Sequence, residues 1–366
     1  MKVLHVIWHL GQGGAQTYLL QLINKIRQLR SDIDQEVMVL ASRGSLSSRF
    51  DESGIKTSYL GMKSGLDVTR GKDIYSFLAG SSADIIHSHS NNLLLNLVFN
   101  FQKKPVIYTE HGGDLFGGRR RDRLIYMVLY RPIREFFAIS EVMAVFMKNI
   151  NEKIRGRIVV IPNGIDIEGQ LAIESVGDNE WNESVKTKSF QVGIIGRLVE
   201  QKGIDLFIEV ATLIAKQRDD VGFVIVGDGP LRESLERLSE KNQISDRVSF
   251  VGYKSNGISW LKRFDVFLFT SKFEPFGLVI IEAMANWIPV VAAHRSGAVS
   301  EIVKDGVSGL VVNGEDAAML AAAVCRVLDD EQLRSSMVTE ARREVAARYS
   351  IKYNATQVVE AYDRIA

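Results

Sequence analysis

Short apolar runs alternate along this chain with longer stretches in which apolar residues recur every three or four positions. The runs predict strands at 2–8, 35–41, 84–87, 105–109, 135–139 and 157–161 in the first half. In the second half they predict strands at 190–196, 221–227, 247–251, 265–270, 288–292 and 309–312. The helical pattern fills the intervals, as at Ala15–Leu29, Gly203–Lys216, Pro230–Lys241 and Ala317–Leu328. Many strands read as near-continuous runs, the mark of parallel strands covered on both faces. Strand and helix in alternation imply an α/β protein, and two such series imply two doubly wound, Rossmann-like domains. The join falls near Pro162-Asn-Gly-Ile, after which Glu174–Lys188 is polar and reads as linker or loop. Open α/β sheets bind ligands beyond the carboxyl ends of their strands. Two such domains facing each other would therefore hold a site in the cleft between them.

Bulk properties narrow the class. A chain of 366 residues with 46% hydrophobic and 24% charged residues suits two globular domains and excludes a disordered or fibrous protein. One cysteine, Cys325, excludes an intramolecular disulfide and fits a reducing compartment. The opening run, Met1-Lys-Val-Leu-His-Val-Ile-Trp, is shorter than a leader sequence needs and reads as a first strand. No uncharged apolar run approaches the roughly 18 residues needed to span a bilayer, so a cytoplasmic protein is expected.

The net charge of +1 conceals an asymmetry: residues 1–165 carry 22 Lys+Arg against 14 Asp+Glu, whereas residues 166–366 carry 23 against 30. Part of the basic excess lies in Arg119, Arg120, Arg121 and Arg123, with Lys103 and Lys104 nearby in sequence. Such a run either meets an anionic surface, such as the inner face of the cell membrane or a lipid phosphate, or is an ordinary solvated loop. Few aromatic residues interleave with it, which argues against nucleic acid as a partner.

Several motifs carry candidate chemistry. In Ser271-Lys-Phe-Glu274-Pro-Phe-Gly277-Leu-Val-Ile-Ile-Glu282, two carboxylates flank what reads as the opening of a helix. The amides of Phe276, Gly277 and Leu278 between them would be the unpaired donors of its N-terminus. Carboxylates beside free amides suit a polyhydroxylated ligand with an anionic group. The same pattern also fits a solvent-facing Glu282 and a Glu274 that only complements the helix dipole. Arg197 and Lys202 flank the loop after strand 190–196 and could neutralise a diphosphate; as bare surface cations they would oppose the helix dipole. The loop His9-Leu-Gly-Gln-Gly13-Gly14-Ala opens the first helix, where glycines let a phosphate approach or simply form a turn. It lacks the G-x-G-x-x-G spacing, and the second strand ends in Ala41-Ser-Arg, which disfavours a dehydrogenase. Asp228 stands without a second nearby carboxylate and reads as structural. His87 and His89 form a His-x-His with no third metal ligand evident from spacing, so His87 reads as a structural hydrogen-bonder. His111, past an apolar strand and before two glycines, is placed to reach a ligand.

In order along the chain stand Gly13-Gly-Ala15, Thr109-Glu-His-Gly112, Ile161-Pro-Asn-Gly-Ile-Asp166, Gly196-Arg-Leu198 with Lys202-Gly203, and Gly227-Asp-Gly-Pro-Leu231. Glu274-Pro-Phe-Gly277 through Glu282-Ala283 and Ser296-Gly297 through Gly309-Leu310 complete the series. This ordered set resembles the retaining nucleotide-sugar glycosyltransferases of family 4, which have the two-Rossmann GT-B fold. The resemblance spans nearly the whole chain and is strongest over 157–312.

The resemblance implies an acceptor-binding domain of residues 1–165, closed by a C-terminal helix at about 350–366, and a donor-binding domain of residues 166–349. It implies that Glu282 holds the ribose hydroxyls and that Glu274 lies near the donor sugar. The amides of Phe276, Gly277 and Leu278 would contact sugar or diphosphate, and Arg197 and Lys202 the diphosphate. Gly13 and Gly14 would approach the phosphate and acceptor side, and His111 the donor sugar. Tyr253, after strand 247–251, is a candidate neighbour of the base. A nucleotide sugar, with UDP ahead of GDP, is then the co-substrate and a glycan or lipid-linked glycan the acceptor. No resident cofactor is implied, and with no Asp-x-Asp present no metal is expected. Two other readings remain: a glycoside hydrolase using Glu274 and Glu282, and a nucleotide-sugar-binding protein without catalysis.

Overall fold

In a computed structural model of the chain, residues 1–11, 13–65, 67–90, 92–112, 130–175, 183–294 and 297–366 are described. The chain divides into two compact units, Met1–Ile165 with Ile351–Ala366, and Asp166–Ser350.

The first unit is built on a parallel sheet of seven strands: β1 (Lys2–Ile7), β2 (Asp34–Val39), β3 (Lys56–Tyr59), β4 (Ile85–Ser88), β5 (Val106–Glu110), β6 (Ile133–Ala138) and β7 (Ile158–Val160). Their spatial order is β3-β2-β1-β4-β5-β6-β7. The chain therefore builds outward from β1 through β2 to β3, returns to the other side of β1, and continues from β4 to β7. The second unit holds β8 (Phe190–Ile195), β9 (Val221–Val226), β10 (Val248–Gly252), β11 (Val266–Phe269), β12 (Val290–His294) and β13 (Leu310–Asn313). Its order, β10-β9-β8-β11-β12-β13, repeats the same reversal, here between β8 and β11. Both are Rossmann-like doubly wound sheets, and the expected α/β class is what the chain adopts.

The cores follow from the apolar runs. β9 is buried at every position, and its Phe223 shares a core with Phe207, Val266 and Val324 in the second unit. One strand has no counterpart in the sequence pattern, the short edge strand β3. Its Lys-Thr-Ser-Tyr pairs only with β2 and is exposed or half-buried throughout, so no apolar run marks it.

The last helix, Ile351–Ile365, belongs to the first unit. Ile351, Ala355, Val358, Val359 and Tyr362 enter a core with Val3, Leu22, Ile85 and Phe137. Buried polar pairs fix its register: Tyr18 donates to Asn354 Oδ1 at 2.9 Å, and Asn354 Nδ2 donates to the carbonyl of Pro162 at 2.6 Å. No helix among the described residues is long and apolar enough to cross a membrane.

Candidate active site

In a doubly wound sheet, neighbouring loops diverge where the strand order reverses and leave a crevice at the carboxyl edge. In the second unit that place lies beyond β8 and β11, whose loops are joined by backbone and side-chain hydrogen bonds. Lys272 N donates to the carbonyl of Gln201 at 2.8 Å, and Gln201 Nε2 donates to that of Phe273 at 3.1 Å. The join brings together two residues that are 72 positions apart: Lys202 Nζ donates to Glu274 Oε2 at 2.6 Å. Their side chains are 24% and 14% exposed, so solvent screens this pair less than an ordinary surface salt bridge.

Glycines shape the edge around that pair. Gly227 (φ 143°) lies so near the backbone of Gly196 that a Cβ would come within 1.9 Å of the Gly196 carbonyl oxygen. Gly297 (φ 100°) crosses the backbone of Glu274, where a Cβ would meet the Glu274 oxygen at 2.1 Å. Ala298 N donates to the same oxygen at 2.9 Å. The segment containing Gly297 is therefore the brace that fixes Glu274, a role that sequence spacing did not reveal.

After Glu274 the chain turns through Gly277 (φ 103°) into the helix Leu278–Ala285. Phe276 is buried, its ring 5.7 Å from that of Tyr349 in edge contact, so its amide rather than its side chain is available to a ligand. The amides of Phe276, Gly277 and Leu278 donate no hydrogen bond among the described residues. One turn on, Glu282 is half-buried and its carboxylate has no partner among the described residues. Burial pushes that carboxyl up to about 7. A buried carboxyl with no donor beside it holds its proton more readily than a solvated one. Arg197 is exposed on the loop after β8 and makes no ion pair among the described residues. Tyr253, also exposed, follows β10, whose Gly252 carbonyl accepts from Gly227 N at 2.9 Å. Asp228 accepts from the amide of Gly229 at 2.7 Å, in keeping with a structural role.

The first unit places different chemistry at its own reversal, between β1 and β4. The register sets His5 beside His87. His87 binds the Tyr362 hydroxyl at 2.6 Å through Nδ1 and the Thr109 hydroxyl at 2.7 Å through Nε2, which makes it the structural hydrogen-bonder expected. His5, His87 and His89 offer ring nitrogens within 4.8 Å of one another. Spacing showed no third histidine beside His87 and His89, and this is corrected: β1 supplies it, through a pairing that only the sheet order reveals. His111 follows β5 and bonds His89 at 3.1 Å. Gly13 and Gly14 are exposed at the start of the helix Gly14–Leu29, Gly13 with an extended backbone. Arg119, Arg120, Arg121 and Arg123 lie outside the described residues.

Residues 12–168 match the model of the Glycosyltransferase Family 4 domain, and residues 177–344 that of Glycosyl transferases group 1. An α-D-kanosaminyltransferase of Streptomyces kanamyceticus is 35% identical over 173 residues, 47% of this chain and 45% of that one. An uncharacterized glycosyltransferase of Methanocaldococcus jannaschii is 32% identical over 298 residues, 76% of this chain and 75% of that one. The Escherichia coli UDP-Gal:α-D-GlcNAc-diphosphoundecaprenol α-1,3-galactosyltransferase is 27% identical over 304 residues, 79% and 77% of the two chains. The crystal structure of Anabaena HepE in complex with UDP-glucose superposes with a TM-score of 0.84 at 20% identity, covering 100% of both chains.

Proposed function

This chain belongs to the family 4 glycosyltransferases, and on that premise we propose that it transfers a hexose-type sugar from a UDP-sugar, with retention of anomeric configuration, to a glycan or lipid-linked glycan acceptor. The observation that carries the proposal is the carboxyl edge of the second unit. There the Lys202–Glu274 pair, the exposed Arg197 and the unbonded amides of Phe276–Leu278 stand on connected loops, with the unpartnered Glu282 on the helix that follows.

Each group answers one part of a nucleotide sugar. Glu282 would accept hydrogen bonds from the ribose hydroxyls, and Tyr253 would lie near the base. Arg197, Lys202 and the amides would take the diphosphate. Breaking the anomeric C–O bond leaves positive charge on the sugar and negative charge on the departing diphosphate. Cations and amides already in place stabilise that charge without rearranging. Lys202 is held by Glu274, so the carboxylate aims the cation and stays near the sugar. The acceptor oxygen would attack the face the diphosphate leaves, through an oxocarbenium-like state, with no enzymic nucleophile. In this arrangement the diphosphate is met by side-chain and backbone donors, so activity should not need a divalent metal.

The acceptor class is supported by the Escherichia coli relative, whose name specifies a diphosphoundecaprenol-linked sugar. Synthesis of surface polysaccharide or lipopolysaccharide, by a cytoplasmic protein attached peripherally to the membrane, fits that class. The UDP preference is supported by that name and by the HepE complex. The hydrolase reading of Glu274 and Glu282 finds no support, because both residues lie within the group 1 match.

The test is a thermal-shift screen of UDP, GDP and ADP, followed by release of nucleotide from their sugars with and without acceptor extracts and with EDTA. UDP should bind, and turnover should survive the chelator. Absence of turnover with every donor would sink the transferase reading, and its loss in EDTA would sink the metal-independent one.

A further inference from the structure

Gln35, buried on β2, has its amide orientation fixed by its neighbours. Its Nε2 donates to the carbonyl of Ile23 at 3.1 Å. A carbonyl only accepts, so the amide nitrogen must face Ile23, and Oε1 is left 3.2 Å from His5 Nε2. An amide oxygen has no proton to give, so His5 donates from Nε2.

The direction then propagates. His5, His89 and His111 contact no carboxylate among the described residues, and burial pulls His5 and His111 down to about 4 and His89 well below its usual value. All three are neutral, and a neutral imidazole that donates from one nitrogen accepts at the other. His5 Nδ1 lies 3.1 Å from His89 Nε2, so His89 donates there. His89 Nδ1 lies 3.1 Å from His111 Nε2, so His111 donates in turn. His111 Nδ1 is left with a lone pair, and it has no hydrogen-bond partner among the described residues. Reversing the chain would set the lone pair of His5 Nε2 against Gln35 Oε1. Flipping the amide to avoid that would set Oε1 against the Ile23 carbonyl. His87 does not share in this, because the hydroxyls on its two nitrogens suit either tautomer.

We propose that Gln35, His5 and His89 are positioning residues that hold His111 as its Nε2–H tautomer, so that Nδ1 accepts a hydrogen bond from a hydroxyl of the bound sugar. The proposal rests on the reading of His111 as a donor-sugar contact. A metal on His5, His87 and His89 is the competing use of the cluster. Every ring nitrogen of those three already has a partner at 2.6–3.2 Å, so a cation would have to break the chain to enter.

Two-bond 15N–1H correlation spectra of the ligand-free full chain, labelled at histidine, read the tautomers directly. His5, His89 and His111 should all carry the proton on Nε2. A proton on His111 Nδ1 would overturn the proposal, as would a stoichiometric Zn2+ titration that shifts the ring nitrogens of His5 and His89. Gln35→Met keeps the volume and removes the accepting oxygen. His111 should then show a mixture of tautomers. Losing the group that holds a catalytic histidine's tautomer costs up to about 10⁴-fold in turnover. Here turnover of whichever of UDP-glucose, UDP-galactose or UDP-N-acetylglucosamine is the donor should fall at least about tenfold, with the Kd for UDP unchanged. Wild-type turnover in Gln35→Met would refute the positioning role. If the transferase reading itself were wrong, UDP would fail to bind while the tautomers stood as stated.

Discussion

At the point where its strand order reverses, the first unit carries buried, neutral imidazoles, whereas the second carries an ion pair, an exposed arginine and unbonded amides. Topology is the same in both, a strand order that leaves a crevice at the carboxyl edge. What differs is the dielectric surroundings. The histidines sit on strands or just past their ends, where burial disfavours their charged form and leaves hydrogen-bond direction as the main variable. Lys202 and Arg197 sit on a loop that solvent reaches, the first paired with Glu274 and the second exposed. One fold thus offers orientation in one unit and charge in the other, and the residues at the strand ends decide which.

The largest effect that would test this contrast is loss of a cation. Arg197→Ala or Lys202→Ala should lower turnover by about 10²–10³-fold, the usual worth of a preorganised group facing developing charge. Each should weaken UDP binding more than uridine binding, by calorimetry. Equal losses would mean that neither meets the diphosphate.

Next is the brace. Gly297→Val forces a side chain into the Glu274 backbone at a φ that valine avoids, and should destabilise the protein by about 3 kcal/mol in urea unfolding. An unchanged midpoint would show that the brace gives way cheaply.

Glu282 supplies a pH signature peculiar to the second unit. Its carboxyl is held up at about 7 in the folded chain, against 4.5 unfolded. The unfolded chain releases that proton first as pH rises, so this contribution is full below pH 4.5 and lost on the way to about pH 7. Glu282→Gln should flatten the fall in stability over that range, measured by denaturation at several pH values. A slope equal to wild type would place the carboxylate in a more solvated site.

The smallest effect is Tyr362→Phe, which removes one partner of the buried His87 and should cost about 1 kcal/mol of stability. UDP affinity should not move. If it fell, the two edges would not be separable.

Much of the fold was legible because its signals are local. Twelve apolar runs marked twelve strands within a few residues, since a strand buried on both faces has to be apolar along its length. β3 escaped because an edge strand with one partner needs no such run. Of the site, Arg197, Lys202, Glu274 and Glu282 stood out by type and by position beside strand ends. Their use did not. The sequence offers Lys202 and Glu274 as separate contacts, and the structure makes them one ion pair. His5 has no local mark, because it lies inside an apolar strand and its partners lie 30 and 84 positions away.

The sequence by itself determined the class, the two strand series and the residues able to bind an anion or a polyol, because periodicity and side-chain chemistry are properties of short segments. The tertiary structure alone decided which of those residues meet. Strand order placed β1 beside β4 and β8 beside β11, which set imidazoles against one another on one edge and Lys202 against Glu274 on the other. Both depend on distances between segments remote in sequence, and no local pattern encodes them.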